Sequence, residues 1–111
     1  FADEKQLSRV FINLLNNSVQ AIPSGKRGVI NIILEYQEGK HIVSIRDNGT
    51  GISEEQKSRI FSPNFTTKSA GMGLGLAMVK NIINSTGGDI RFTSEDGLGT
   101  TFIIELPALN N

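Results

Sequence analysis

The chain has 111 residues, 38% hydrophobic and 20% charged, the composition of one globular domain rather than a disordered tail. Eleven basic side chains balance eleven acidic ones, so the basic excess that marks a nucleic-acid binder is missing. With no cysteine and one histidine, His41, disulfide frameworks, thiol nucleophiles and His-rich metal sites are excluded. No apolar run approaches the ~20 residues of a membrane span. The sequence opens on Phe1 rather than Met, with neither a basic n-region nor an apolar h-region. It reads as a single domain, 1–111, cut from a longer chain.

The first segment has helical spacing. Asp3 and Gln6 approximate a capping box, and Leu7, Val10, Phe11, Leu14, Leu15, Val19 and Ile22 gather on one face. Pro23, Ser24 and Gly25 end it. Ile30, Ile32, Leu34 and Tyr36 then alternate with Asn31, Ile33 and Glu35, which predicts a strand, and Glu38-Gly39-Lys40 turns into a second. There Val43, Ile45 and Asp47 share a face, so the strand ends by placing a carboxylate among apolar neighbours. Ser53 and Gln56 open a short helix toward Ile60. From Phe61 to Gly75 no period holds, and a loop of that length is unusual in a compact domain unless it has a function. A helix resumes at Leu76 and closes at Gly87-Gly88. Ile90, Phe92 and Ser94 alternate, Asp96-Gly97-Leu98-Gly99 turns, and a last strand runs over 101–106 to Pro107. Hairpin pairs with helices between them predict an α+β two-layer sandwich. Its sheet is mixed but mostly antiparallel, covered on one face by about three helices.

Three glycine clusters stand out: DNGTGI at 47–52, GMGLGL at 71–76 and GLGT at 97–100. The third is ordinary hairpin chemistry. The second precedes a predicted helix, where free amides attract phosphate. It is not a Walker A loop, because no Lys-Ser/Thr pair follows, and it lacks the preceding strand of a dinucleotide fingerprint. On the first helix, Asn13 and Asn17 are four residues apart on one flank. Asparagine is a poor helix former. The two amides either hydrogen-bond locally or serve a hard cation such as Mg²⁺.

In order, QLSRVFINLLNNSVQAI, DNGTGI, IFSPNFTTK, GMGLGLAMVK and GLGTTF resemble the N, G1, F, G2 and G3 boxes of the sensor histidine kinase catalytic domain. That domain shares a superfamily with DNA gyrase, mismatch-repair ATPases and a heat-shock chaperone. The FTTK form is most similar to the nitrogen-regulation type of sensor kinase. The resemblance implies an ATP-binding domain with a lid loop, MgATP as ligand, and a cytoplasmic setting within a homodimeric parent protein. It implies that Asn17 coordinates Mg²⁺, with Asn13 the preceding polar position, and that Asp47 accepts from the adenine amino group. Gly49, Gly51 and Ile52 would line the base site, with Thr100 and Gly99 near it. Phe61 and Phe65 would form the base of the lid, and Lys68 would reach the terminal phosphates. Gly71, Gly73, Leu74, Gly75 and Leu76 would hinge the lid and approach the phosphates. Gln20 stands where the family often has lysine.

Hydrolytic relatives carry a glutamate four residues before the Mg²⁺ asparagine, whereas Asn13 stands here and cannot take a proton. The implied activity is therefore that of a protein-histidine kinase. It would present the γ-phosphate to a histidine on a separate dimerisation domain, with a response regulator receiver domain downstream and no nucleic acid partner. The alternative is an ATP-dependent conformational switch or a nucleotide-binding regulatory module. His41 starts a strand with no acidic residue after it, so it is expected to be exposed and not the phospho-acceptor.

Overall fold

The computed structural model describes residues 4–62 and 72–107. The expected cap Asp3, the lid residues Phe65 and Lys68, and Gly71 lie outside them.

Helix α1 spans Glu4–Ala21. Val10, Leu14 and Ser18 are its buried positions, with Leu7, Phe11 and Leu15 packed against the core beside them. Val19, expected on that face, is exposed. At 100° per residue it sits about 120° round from Leu7, past the edge of the stripe. Ser18 lies near the centre of the stripe instead.

Strands β1 (Ile30–Gln37) and β2 (Lys40–Asp47) form a hairpin in which Gln37 faces Lys40. Glu38 and Gly39 both have positive φ, the two-residue turn whose twist matches the strands. Helix α2 (Glu54–Lys57) is shorter than its pattern suggested, with Ser53 Oγ capping the Gln56 amide. Helix α3 spans Met72–Ser85. It starts earlier than the glycines predicted, so Gly73, Leu74 and Gly75 lie within its first turn rather than in a loop before it. Each interior glycine costs a helix about 1 kcal/mol, and packing on α1 offsets this locally. Gly87 and Gly88 close α3 by donating to the carbonyls of Asn84 and Ile83. Strands β3 (Asp89–Glu95) and β4 (Gly99–Pro107) complete the sheet.

The sheet order is β1-β2-β4-β3, and every neighbouring pair is antiparallel. Helix α1 lies over β2 and β4, and α3 lies over β3 and against α1. Val43, Ile45, Phe102, Ile104 and Ile90 meet Val10, Leu14, Leu76, Val79 and Ile83 between the layers. The helices do not reach the edge strand. Ile32 and Leu34 face Ile45 and Val43 across the ladder yet stay exposed, as does Tyr36 opposite His41. His41 is exposed as expected, its ring 5.1 Å from that of Tyr36. Arg91 and Lys40 flank Glu105, hold its carboxyl below the usual carboxylate range, and tie β2, β3 and β4 together. No helix among the described residues is long and apolar enough to cross a membrane.

Leu14 is fully buried between the helix layer and the sheet. Leu14→Ala should destabilise the domain by about 2–5 kcal/mol, read as a lower urea midpoint with an unchanged slope. Ile12→Ala on the exposed side of α1 should shift it by less than about 0.5 kcal/mol.

Candidate nucleotide site

Strand β2 ends with Asp47 on the helix-covered face, only 5% exposed. A carboxylate there is costly unless donors reach it. Two do: the Gly49 amide donates to Oδ1 at 2.9 Å and the Thr100 amide donates to the same oxygen at 3.3 Å. The first bond folds the chain into an Asx turn, and the second crosses from β4. Asp47 therefore does cap its own turn, the alternative to a ligand-binding role. That cap occupies Oδ1 alone, and Oδ2 has no protein donor among the described residues.

Beyond Asp47 the backbone is locked from two sides. The Thr50 amide donates to the Ala21 carbonyl of α1 at 2.9 Å, and the Gly97 amide donates to the Thr50 carbonyl at 2.6 Å. Gly51 has φ +77, and a Cβ there would collide with the Glu95 carbonyl. A side chain at this position would be strained twice. The Ile52 amide donates to Ser94 Oγ at 2.7 Å, and Ser94 Oγ lies 2.9 Å from Thr100 Oγ1 and donates to the Gly99 carbonyl. Asp47, Thr100, Ser94 and Ile52 thus form one hydrogen-bonded chain joining β2, β4, β3 and the glycine loop.

Asn13 and Asn17 lie on α1, the helix whose Ala21 carbonyl holds the glycine loop. Asn13 donates its amide nitrogen to the Arg9 carbonyl at 2.8 Å, and Asn17 donates to the Asn13 carbonyl at 3.1 Å. Both therefore make the local bonds one reading expected. Those bonds use only the Nδ2 groups, leaving the Oδ1 atoms as acceptors of the kind a hard cation takes. Asn13 Oδ1 lies 2.6 Å from where a Cβ on Gly75 would sit. At Gly75 the first turn of α3 therefore comes close against Asn13, whose side chain would have to shift for a Cβ there.

Leu76 is buried in the core, so its side chain packs rather than lines the site. Phe61 sits edge-on to Phe92 at 5.9 Å, and the Lys80 ammonium stands 4.9 Å over its ring. That anchors the chain just before the segment predicted as a lid. Gln20 is exposed on α1. Ser94 was not singled out from the sequence as a site residue. The signal was there: Ile90, Phe92 and Ser94 alternate onto one face, and a hydroxyl in that row needs partners.

Asp47 Oδ2 and the Oδ1 atoms of Asn13 and Asn17 thus accept no hydrogen bond from the described residues. The family model for histidine kinase-, DNA gyrase B- and HSP90-like ATPases matches residues 2–110. The sensor histidine kinase ZraS of Escherichia coli K12 is 43% identical over 106 residues, covering 96% of this chain and 22% of ZraS. The signal transduction histidine-protein kinase AtoS of the same organism is 47% identical, with 96% of this chain and 17% of AtoS covered. The chain thus spans about a fifth of these curated relatives. The solved catalytic domain of histidine kinase ThkA superposes with a TM-score of 0.82 at 41% identity, covering 96% of this chain and 68% of that one.

Two glycines separate the causes of intolerance at this loop. Gly39 has φ +80 with open space around it, whereas Gly51 has a similar φ and the Glu95 backbone against it. Gly39→Ala should cost about 1–2 kcal/mol for the left-handed backbone alone. Gly51→Ala should cost clearly more in the same urea titrations.

Proposed function

Because the chain belongs to the histidine kinase-, DNA gyrase B- and HSP90-like ATPase family, as a histidine kinase-type ATP-binding catalytic domain, we propose how its residues use the nucleotide. The observation that carries the reading is the Asp47 carboxylate, held at Oδ1 by two backbone amides with Oδ2 left over. Ionised, it is acceptor-only. Adenine offers an amino donor at its six position, and guanine offers a carbonyl oxygen there. Thr100, Ile52 and the Gly49–Gly51 loop frame the base. Gly73, Leu74 and Gly75, in the first turn of α3, bring backbone toward the phosphates, where the positive end of the helix favours anions. Phe61 anchors the chain before the segment that we assign as a lid, with Phe65, Lys68 and Gly71 as its proposed nucleotide-binding residues and Lys68 as the proposed partner of the terminal phosphates.

Asn17 Oδ1, with Asn13 Oδ1 beside it, fits Mg²⁺. Among the described residues no group of three or more His, Cys, Asp or Glu gathers as a cation site, so amide and phosphate oxygens would supply the ligands. Bound there, the ion would neutralise charge on the transferring phosphoryl group. The protein's own part is to hold the nucleotide rigidly while leaving the γ-phosphate open on one side. Asn13 cannot deprotonate water, so the nucleophile must come from elsewhere. We assign it to a histidine on a dimerisation domain of the same homodimeric, cytoplasmic kinase portion. Phosphate would then pass to a response regulator receiver domain, as suits a two-component system.

Titration with both nucleotides tests the base reading. A hydrogen bond to a charged group is worth about 1.5–3 kcal/mol, so ATP should bind roughly tenfold to a hundredfold tighter than GTP. Asp47→Ala should abolish the preference, and Asp47→Asn should keep part of it. Equal affinities in the unmutated chain would remove Asp47 from the site. With γ-labelled ATP the chain alone should stay unlabelled, and a supplied histidine-bearing helical domain should take up label.

A further inference from the structure

On the ATP reading above, α1 runs from the phosphate end of the site to its base end. The Ala21 carbonyl holds Thr50 of the loop that frames the base. About 12 Å earlier along the helix, Asn13 lies against Gly75 in the first turn of α3, the end that favours phosphate. One turn further in the same direction stands Arg9. Its carbonyl accepts from the Asn13 amide group at 2.8 Å. Its guanidinium donates to Met78 Sδ at 2.9 Å, one turn on from Gly75 in α3. Arg9, Asn13 and Asn17 thus form one row at four-residue spacing, with Arg9 at the phosphate end.

The charge pattern singles out the same residue. The whole chain has no net charge, yet beyond Lys5 the only charged residue of α1 is Arg9, and the only one of α3 is Lys80. Asn16 and Gln20, on the Asn13 flank by helical angle, are neutral. Lys80 is engaged over the Phe61 ring. Arg9 is exposed and makes no ion pair among the described residues. A thioether is a weak acceptor, so a charged fork of five donors rests on a neutral atom that satisfies little of it.

We propose that Arg9 is a ligand of the terminal phosphate, the third member of a row whose other two members serve the cation. With a triphosphate bound, the guanidinium leaves Met78, turns back toward Asn13 and donates to non-bridging oxygens of the γ-phosphate. The planar fork suits phosphate bidentately. Because Arg9 stands a turn beyond Asn13, it serves the third phosphate and not the first two. It also brings positive charge to the group being transferred, which neutral Asn13 does not. The inference rests on the ATP reading.

The test is calorimetric titration of the unmutated chain, Arg9→Gln and Arg9→Lys with ADP and with β,γ-imido-ATP, each with Mg²⁺. The imido analogue keeps three phosphates and does not transfer the last. Arg9→Gln should bind it about fivefold to twentyfold more weakly, as for a charged hydrogen bond partly open to water. The same variant should bind ADP within about twofold of the unmutated chain, the usual reach of a surface substitution. Arg9→Lys, which keeps the charge and loses the fork, should recover part of the loss. A loss shared equally by both ligands would overturn the assignment, as would an Arg9→Gln chain that binds the imido analogue like the unmutated one. If the unmutated chain binds both ligands and only the Arg9 difference is missing, the ATP reading stands and this inference alone falls. If it binds neither ligand, both fall.

Discussion

Strand β2 would pay a desolvation cost for ending in a carboxylate on its covered face if the next residues ran on without turning back. Instead, Asp47 Oδ1 draws in the amides of Gly49 and Thr100, and much of the surrounding structure answers to that pair of bonds. The Gly49 bond fixes where the glycine loop leaves the sheet, and hence where Thr50 meets Ala21. The Thr100 bond fixes β4 beside β2 at the one point where their side chains must serve a site rather than a core. Ser94 extends the same chain of donors to β3 and back to Ile52. A single acidic group thus holds the rim of three strands and a loop in register. Its second oxygen accepts no hydrogen bond from the described residues.

Much of this was legible in the sequence because it rests on local rules. Alternation put Val43, Ile45 and Asp47 on one face, and the structure buries all three. The turn at Glu38-Gly39, the Ser53 cap and the Gly87-Gly88 terminus are each set by a few adjacent residues. The rest depends on what lies across the fold. Gly73 and Gly75 weigh against helix by propensity, yet the helix starts at Met72, with Gly75 close against Asn13 of α1. Val19 looks apolar enough to be core and misses the stripe by its angle, while Ser18 hits it. Ile32 and Leu34 alternate as buried positions should, but alternation cannot say whether a helix extends far enough to cover them. The site followed the same division. Asp47 and the asparagines stood out by residue type, and Ser94 became visible only when its partners from β4 and the loop were assembled.

The helix pair α1 and α3 adds a constraint of a different kind. Asn13 and Gly75 approach so closely that a Cβ at 75 would require the Asn13 side chain to shift. The same asparagine removes the general base that a hydrolase would carry there. On the proposed ATP reading, the side chain at 13 that packs against α3 is also one that cannot take a proton from water. A glutamate introduced at 13 would have to find room against α3 before it could act as a base.

Strand β1 carries Ile32, Ile33, Leu34 and Tyr36 on an outer edge, all four exposed, with a full row of backbone donors and acceptors facing away from β2. Glu35 is the only charged side chain within the strand, and neither proline nor a bulge interrupts its ladder. Edges of this kind are templates for recruiting another strand. For the domain in isolation this sets a colloidal limit: raising its concentration favours edge-to-edge pairing through β1, and the risk resides in the native fold rather than in its unfolding. Charge substitutions at Leu34 and Tyr36 would relieve it toward the hairpin end of the strand, away from Ile30, which pairs with Asp47.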